Sequence, residues 1–340
     1  MKKVVLFNLL LSLFIIPVVA SSDRTVTDVQ ETEQFVYPIN ATSSQWDFLS
    51  IKEKVDMLRI PDETLECMSN KELIEAIAEY PFLIDIYVYG NTINEGIQVT
   101  RKYFSALDEL LSRDGSYVAL IEYALPIAEQ CLAKAGSEHS NEASHNRFVA
   151  AALMDIIKTL DEDINELNTI YDSRLFGDYT TTRILTPNGS EVVARIYTET
   201  HDDTFHADKD QEICEQYGVE LLAPGTCLYN CHSYAWYLRE TTNPYWIEQT
   251  TAYRTDGSYI HMATPSLGTM TNAYSIAYGD IIYYGNNSHS AVFCGNPMSG
   301  APVATQYAIS KWGKLGLFRH TIANVPYEYD TSSLQVWHKS

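Results

Sequence analysis

The stretch "CLYNCHSYAWY", Cys227–Tyr237, sets two cysteines four residues apart, a histidine directly after the second, and a mostly apolar, aromatic run behind them. Asn230 is a good helix N-cap, because its side-chain oxygen can take a backbone N–H that the first turn leaves unpaired. Tyr234, Ala235, Tyr237 and Leu238 then fall at the spacing of a buried helical stripe. Cys231 is therefore expected in the first turn of a helix, where free N–H groups and the positive end of the dipole favour a thiolate. A thiolate is the attacking species in acyl transfer.

Other chemistries compete for Cys231. A bridge to Cys227 has to span the helix cap, which suits disulfide geometry poorly. Pairing of Cys227 with Cys214 or Cys294 leaves the Cys231 thiol available and is the preferred arrangement. Zinc held by Cys227, Cys231 and His232 lacks a good fourth ligand, and neighbours 231 and 232 point about 100° apart on a helix. No metal and no cofactor is expected.

A nucleophile needs a base, and the chain offers His289, 58 residues further on. It lies in "YGDIIYYGNNSHSAVF", residues 278–293, which predicts a Gly279-Asp280 turn, a strand Ile281–Tyr284, a Gly-Asn-Asn turn, and a second strand opened by His289. A histidine at a strand start can face a helix packed on that sheet, the pairing of nucleophile and base used by cysteine hydrolases.

Asn-Cys-His-Ser-Tyr-Ala-Trp, then Gly-Asp-Ile-Ile-Tyr-Tyr and Ser-His-Ser-Ala-Val, together resemble the papain-like amidases and peptidases of bacterial envelopes, the CHAP and NlpC-type families. The resemblance covers roughly residues 205–325. It implies a helix packed on an antiparallel sheet, Cys231 as nucleophile, His289 as general base and later acid, and an amide substrate in a peptide or peptidoglycan stem. In such enzymes a polar side chain on the next strand orients the imidazole. Here that strand lies in "ATQYAISKWGKLGLFRH", residues 304–320, where Ser310 is the candidate and Gln306 its rival on the same face. The usual His, Glu or Asn is missing from that position. The Cys231 backbone N–H is the expected oxyanion donor, with Tyr229 as a second candidate. Tyr229, Trp236 and Trp312 are candidate substrate contacts, although sheet core is the commoner fate of aromatic residues.

The rest of the chain frames this site. Lys2 and Lys3, an apolar run Val4–Ile16 and a small-residue site ending at Ala20 predict a signal peptide, 1–20, and hence a secreted protein. No later stretch reaches the roughly 18 uninterrupted apolar residues of a membrane span, so no membrane anchor is expected. Removing Lys2 and Lys3 takes the formal net charge from −21 to −23, which leaves no basic surplus for nucleic acid. Residues 21–45 are expected as a flexible segment and 46–170 as a helical domain. Capping boxes are expected at Ser50/Glu53, Ser69/Glu72 and Thr92/Glu95, with a helix stop at Tyr80-Pro81 and longer helices near 117–133 and 142–167. Cys67 and Cys131 are expected in the core or bridged, and His139 and His145 in solvent. From 171 to 340 the chain turns strand-rich. "TRILTPNGSEVVARIYTET", 182–200, predicts a hairpin with a type I′ Asn-Gly turn. "TETHDDTFHADKD", 198–210, reads as a solvated acidic loop with no calcium-loop spacing.

The expected fold is thus α+β, a helical N-terminal bundle followed by a papain-like domain. The expected function is hydrolysis of an amide bond in a peptide or peptidoglycan-like substrate. The competing expectation is a papain-like module that binds without turnover, favoured by the missing third residue and by the acidic charge.

Overall fold

In the computed structural model, which describes residues 35–89, 93–134, 141–160, 179–198, 203–265, 276–285, 287–296, 300–326, 329 and 331–340, two serines start helices as their spacing predicts. Ser50 caps α1 (Ile51–Leu58) and Ser69 caps α3 (Asn70–Ala78), each in a reciprocal box with the glutamate three residues on. Between them lies α2 (Asp62–Cys67). Leu73, Ile74 and Ile77 of α3 are fully buried, and the helix stops just before Tyr80-Pro81. A 3₁₀ turn (Leu83–Tyr87), α4 (Ile93–Thr100), α5 (Ser105–Ser112), α6 (Ser116–Lys134) and α7 (Asn141–Leu160) complete the helical part. The signal-peptide segment, the third box at Thr92, and His139 lie outside the described residues.

Residues 35–45 are not the flexible segment expected of them, because Tyr37 and Ile39 are buried and the Tyr37 hydroxyl donates to the Ala76 carbonyl at 3.0 Å. His145 is not simply solvated either; it pairs with the buried Glu212 at 2.8 Å.

The strand-rich part opens with β1 (Tyr179–Leu185) and β2 (Glu191–Tyr197), an antiparallel hairpin. Its turn is not type I′. Pro187 cannot take positive φ, and only Gly189 does (89°); Gly189 N–H donates to Thr186 O, and Thr186 N–H to Ser190 O. With β4 (Trp246–Ile247) the hairpin forms a three-stranded sheet. The expected acidic loop is instead α8 (Asp203–Tyr217), with His206, Lys209, Asp210 and Glu212 buried. Burial is possible because each carboxylate on its inner side is matched: Asp208 with Arg147, Glu212 with His145, and Asp210 with the amides of Gly225 and Gly316.

The large sheet is antiparallel, in the order β3-β9-β8-β7-β6-β10-β5. Its strands are β3 (Glu220–Ala223), β5 (Tyr259–Ala263), β6 (Ile281–Tyr284), β7 (His289–Phe293), β8 (Tyr307–Lys311), β9 (Leu317–Thr321) and β10 (Gln335–Lys339). The short helix α9 (Cys231–Trp236) packs on β7 and β8, and α10 (Thr251–Thr255) lies near β5. The molecule is therefore α+β, with helices N-terminal and antiparallel strands C-terminal.

Both faces of the sheet's centre are covered, so every residue of β6 and β7 is buried. One core joins Ile282, Tyr284, Ala291 and Phe293 to helical residues such as Leu73, Phe82 and Leu107. A second, smaller core joins Ile281, Tyr283 and Val292 to Trp236 of α9 and to the hairpin. Both sides of the boundary expected near residue 170 thus contribute to the larger core. Aromatic contacts run through it from Trp46 to Phe82, Tyr217 and Trp312, with ring centroids 5.4, 5.1 and 5.0 Å apart. Among the described residues no helix is long and apolar enough to cross a membrane.

Candidate active site

Asn230 caps α9 as expected, with extended backbone and a side-chain oxygen that accepts from Ser233 N–H at 3.0 Å. The same amide also grips β4, donating to Ile247 O at 2.7 Å and accepting from Ile247 N–H. Cys231 is thereby fixed at the start of the helix, 7% exposed, on the wall of a cleft of about 450 Å³. The helical part supplies Val88, Tyr89 and Val99 to that cleft, and the strand-rich part supplies Trp246, Glu248, Asn287 and Tyr329.

The ladder between β7 and β8 is registered at Val292↔Ile309 and Phe293↔Ala308. Further along β7, the backbone amide of Ser290 faces the Cys231 sulfur closely enough to favour its thiolate. The thiol therefore sits beside the residue that follows His289. Opposed residues of antiparallel strands share a face, so the register puts His289, Ser310 and His320 on one side of the sheet. There they form a chain of hydrogen bonds. His289 Nε2 lies 2.9 Å from Ser310 Oγ, Ser310 Oγ lies 2.7 Å from His320 Nε2, and Trp312 Nε1–H donates to Ser310 Oγ at 3.0 Å.

The tautomers follow from the end of this chain. His320 Nδ1 is 2.8 Å from the Thr321 carbonyl, which can only accept, so Nδ1 carries the proton. Burial holds the His320 pKa down at about 4, so the ring is neutral and its Nε2 accepts from the Ser310 hydroxyl. Ser310 Oγ is then left to accept from Trp312 and from His289 Nε2–H. His289 Nδ1 is consequently the unprotonated nitrogen, and this buried atom has no hydrogen-bond partner. Tyr329 stacks on the His289 ring at 4.3 Å and 9°, holding its plane. Tyr329 in turn meets Tyr89 of the helical part edge-on at 5.6 Å.

Electrostatics depart from expectation. Burial pushes the Cys231 thiol up to about 11, and the amides of Ser290 and His232 and the Lys311 ammonium offset only part of this. Burial, followed by His320 and His232, pushes His289 well below the ordinary histidine value. The resting pair is therefore a neutral thiol and a neutral imidazole, because desolvation outweighs the end of a six-residue helix.

Of the sequence candidates, His289 and Ser310 are brought together, while Cys231 stands on the cleft wall with Tyr329, the ring that stacks on His289. Gln306 does not join them: its side chain serves the loop before β8, accepting from Asn296 N–H at 3.0 Å and donating to Ala301 O. Tyr229, Trp236 and Trp312 are at most 1% exposed and do not line the cleft, so the expectation of substrate contact is corrected to a packing role. Tyr229 is also no oxyanion donor, since its hydroxyl is buried away from the cleft without a partner. No disulfide joins any two of the six cysteines, contrary to the pairing expected for Cys227; Cys67 is exposed rather than in the core.

Sequence reasoning missed His320, Tyr329 and Lys311. The signal for His320 was a histidine on the strand after Ser310, at a distance that a tight hairpin returns to the same face. Lys311, fully buried, donates to Thr226 O and Gly313 O at 2.9 Å each, and to Leu315 O. It thereby ties the segment before α9 to the β8–β9 turn. Compared with protein-family models, with curated proteins and with solved structures, the chain matches none.

Proposed function

We propose that this chain is a secreted, papain-like cysteine hydrolase of the CHAP or NlpC type, acting on an amide bond in a peptide or peptidoglycan stem. The observation that carries the reading is the unpartnered, unprotonated nitrogen of His289, Nδ1, buried beside the residue whose amide faces the Cys231 sulfur. With a substrate carbonyl in the cleft, Nδ1 takes the Cys231 proton as sulfur attacks carbon. The imidazolium keeps its Nε2–H on Ser310, and Ser310 keeps its own proton on His320. The tetrahedral intermediate collapses as Nδ1–H protonates the leaving amine, giving a thioester. His289 then deprotonates a water that attacks the thioester, and the acid leaves as the thiol is restored. Ser310 and His320 hold the tautomer, the part a carboxylate or amide plays in related triads.

A second reading, a binding module without turnover, is favoured by one observation, the thiol held near 11 by burial. One experiment separates the two. The full chain is incubated with mixed peptides and with peptidoglycan stem peptides, products are followed by mass spectrometry, and Cys231 alkylation is timed from pH 6 to 10. The hydrolase reading expects new amino and carboxyl termini with the wild type and none with Cys231→Ala. It also expects slow alkylation at pH 7, rising about tenfold per pH unit toward the alkaline end. Turnover that survives Cys231→Ala, or no product from any amide, ends it.

A further inference from the structure

The cleft does not end at the thiol. Trp246, Glu248 and Gln249 also form the wall of a second hollow, of about 360 Å³, on the outer face of the β1–β2 hairpin. β4 and the two residues after it are thus a ridge with a hollow on either side.

The hairpin register explains what the second hollow offers. Tyr179, Thr181, Arg183 and Leu185 share a face with Tyr197, Arg195, Val193 and Glu191. The opposite face, with Ile184, Val192 and Ala194, is buried in the smaller core. The outer face of such a sheet is ordinarily polar. Here, however, Tyr179, Leu185 and Val193 are 49%, 56% and 61% exposed.

The charges on this face are already matched. Arg195 pairs with Glu248 at 2.5 Å and lies over the Tyr179 ring at 4.7 Å, while Arg183 pairs with Glu191. Among the described residues, the Cys231 cleft is lined by no lysine or arginine, and its one carboxylate is Glu248. An acidic occupant finds no unmatched cation there, and the chain's net charge of −21 repels it at long range. A basic occupant has to compete with Arg195 for Glu248. An uncharged, apolar side chain disturbs neither pair and covers the exposed Tyr179 and Val193.

Resting on the hydrolase reading above, we infer that the two hollows are consecutive subsites for one extended polypeptide. Its scissile carbonyl lies at Cys231, and an apolar side chain rests against Tyr179 and Val193. The ridge is one strand wide, about 5 Å, so an extended chain crosses it in about two residues.

The test uses the full chain carrying Cys231→Ala, whose groove is intact, and a set of fluorescein-labelled decapeptides rich in Gly and Ser. Each peptide carries one Phe, Lys or Asp at a different distance from a central Ala. Phe at one fixed distance is expected to bind at least tenfold tighter than Asp or Lys there. Val193→Asp and Tyr179→Ala, both at exposed positions and checked for unchanged circular dichroism, are expected to erase that preference. Binding with no positional preference, a preference that survives Val193→Asp, or binding of soluble glycan-strand fragments in place of peptides overturns the inference. The underlying reading fails separately. Peptides that bind with the expected preference but are not cleaved by the wild-type chain sustain the groove and end the hydrolase, whereas cleavage indifferent to Val193→Asp does the reverse.

Discussion

Two tryptophan–serine–histidine chains are buried at the centre of this molecule, and the second extends to a further histidine with one nitrogen unpaired. In the first, Trp236 Nε1–H donates to Ser290 Oγ, and Ser290 faces His232 Nδ1, both at 2.9 Å. His232 Nε2 closes on the Asn287 carbonyl at 3.2 Å, in a turn where Asn287 takes positive φ (68°), a conformation asparagine tolerates better than most residues. Both ring nitrogens are used. In the second, Trp312 donates to Ser310, and Ser310 bridges His320 and His289, but His289 Nδ1 is left open. The same three residue types build a fully paired brace in one place and leave an open ring nitrogen in the other. What separates them is whether the fold closes the last nitrogen.

The sharpest way to break this comparison is to remove each histidine. His289→Ala is expected to lower kcat/KM roughly 10³-fold or more on any substrate the wild type cleaves. His232→Leu is expected to cost less than about tenfold in turnover. It should instead destabilise the fold by about 1–3 kcal/mol, since the Ser290 hydroxyl and the Asn287 carbonyl lose their partner. Equal losses of turnover in the two variants would show that His232 is not merely a brace.

The serines give the next largest contrast. Ser310→Ala removes the acceptor that pins the His289 tautomer, and is expected to lower kcat roughly 10²-fold with KM little changed. Ser290→Ala should act mainly on denaturation midpoint, because its hydroxyl orients a ring with no free nitrogen. Steady-state kinetics and urea titration of both variants measure the two effects side by side.

The contrast least specific to either chain is a pH dependence to which both contribute. His232 and His320 are held at about 4, and His289 well below its ordinary value, chiefly by burial. Between about pH 6.5 and 4 the unfolded chain therefore binds protons that the native rings refuse, and stability is lost as pH falls. Asp85 works the other way. Buried between the hydroxyls of Tyr217 and Tyr103, at 2.6 and 2.8 Å, it is raised to about 7, so its share of stability is lost as pH rises from about 4 to 7. Three rings outweigh one carboxyl, and these groups together are expected to cost about 2 kcal/mol per pH unit near pH 5. Asp85→Asn should steepen that acid loss and His320→Gln should flatten it, as read from urea unfolding at pH 4.5 to 7. A flat profile in the wild type would mean that the rings take up protons in the native state.

Much of the site was legible in the sequence because its signals are local. The N-cap at Asn230, the strand edges at Ile281, Tyr284 and His289, and the pairing of Ser50 with Glu53 each depend on residues within a few positions of one another. The errors share a cause as well. The acidic run around Asp208 reads as solvated because Arg147, His145 and the amides that match it lie far away in the chain. The type I′ turn fails because Pro187 occupies a position whose φ the Asn-Gly pair does not control. Thiolate activation at Cys231 follows from a helix end, whereas the burial that opposes it is set by the packed tertiary structure.

By itself, then, the sequence determined which local elements hold the candidate residues. Cysteine, histidine and serine are rare enough in such local settings to be recognised, and capping and strand alternation act over a few residues. Only the tertiary structure decided that Ser310 rather than Gln306 meets His289, that His320 stands behind Ser310, that Tyr329 stacks on the His289 ring, and that Val88, Tyr89 and Val99 wall the cleft. Those facts depend on strand register and on two distant parts of the chain sharing one core. Register is fixed by the sum of many weak contacts across the sheet, and no short stretch of sequence contains that sum.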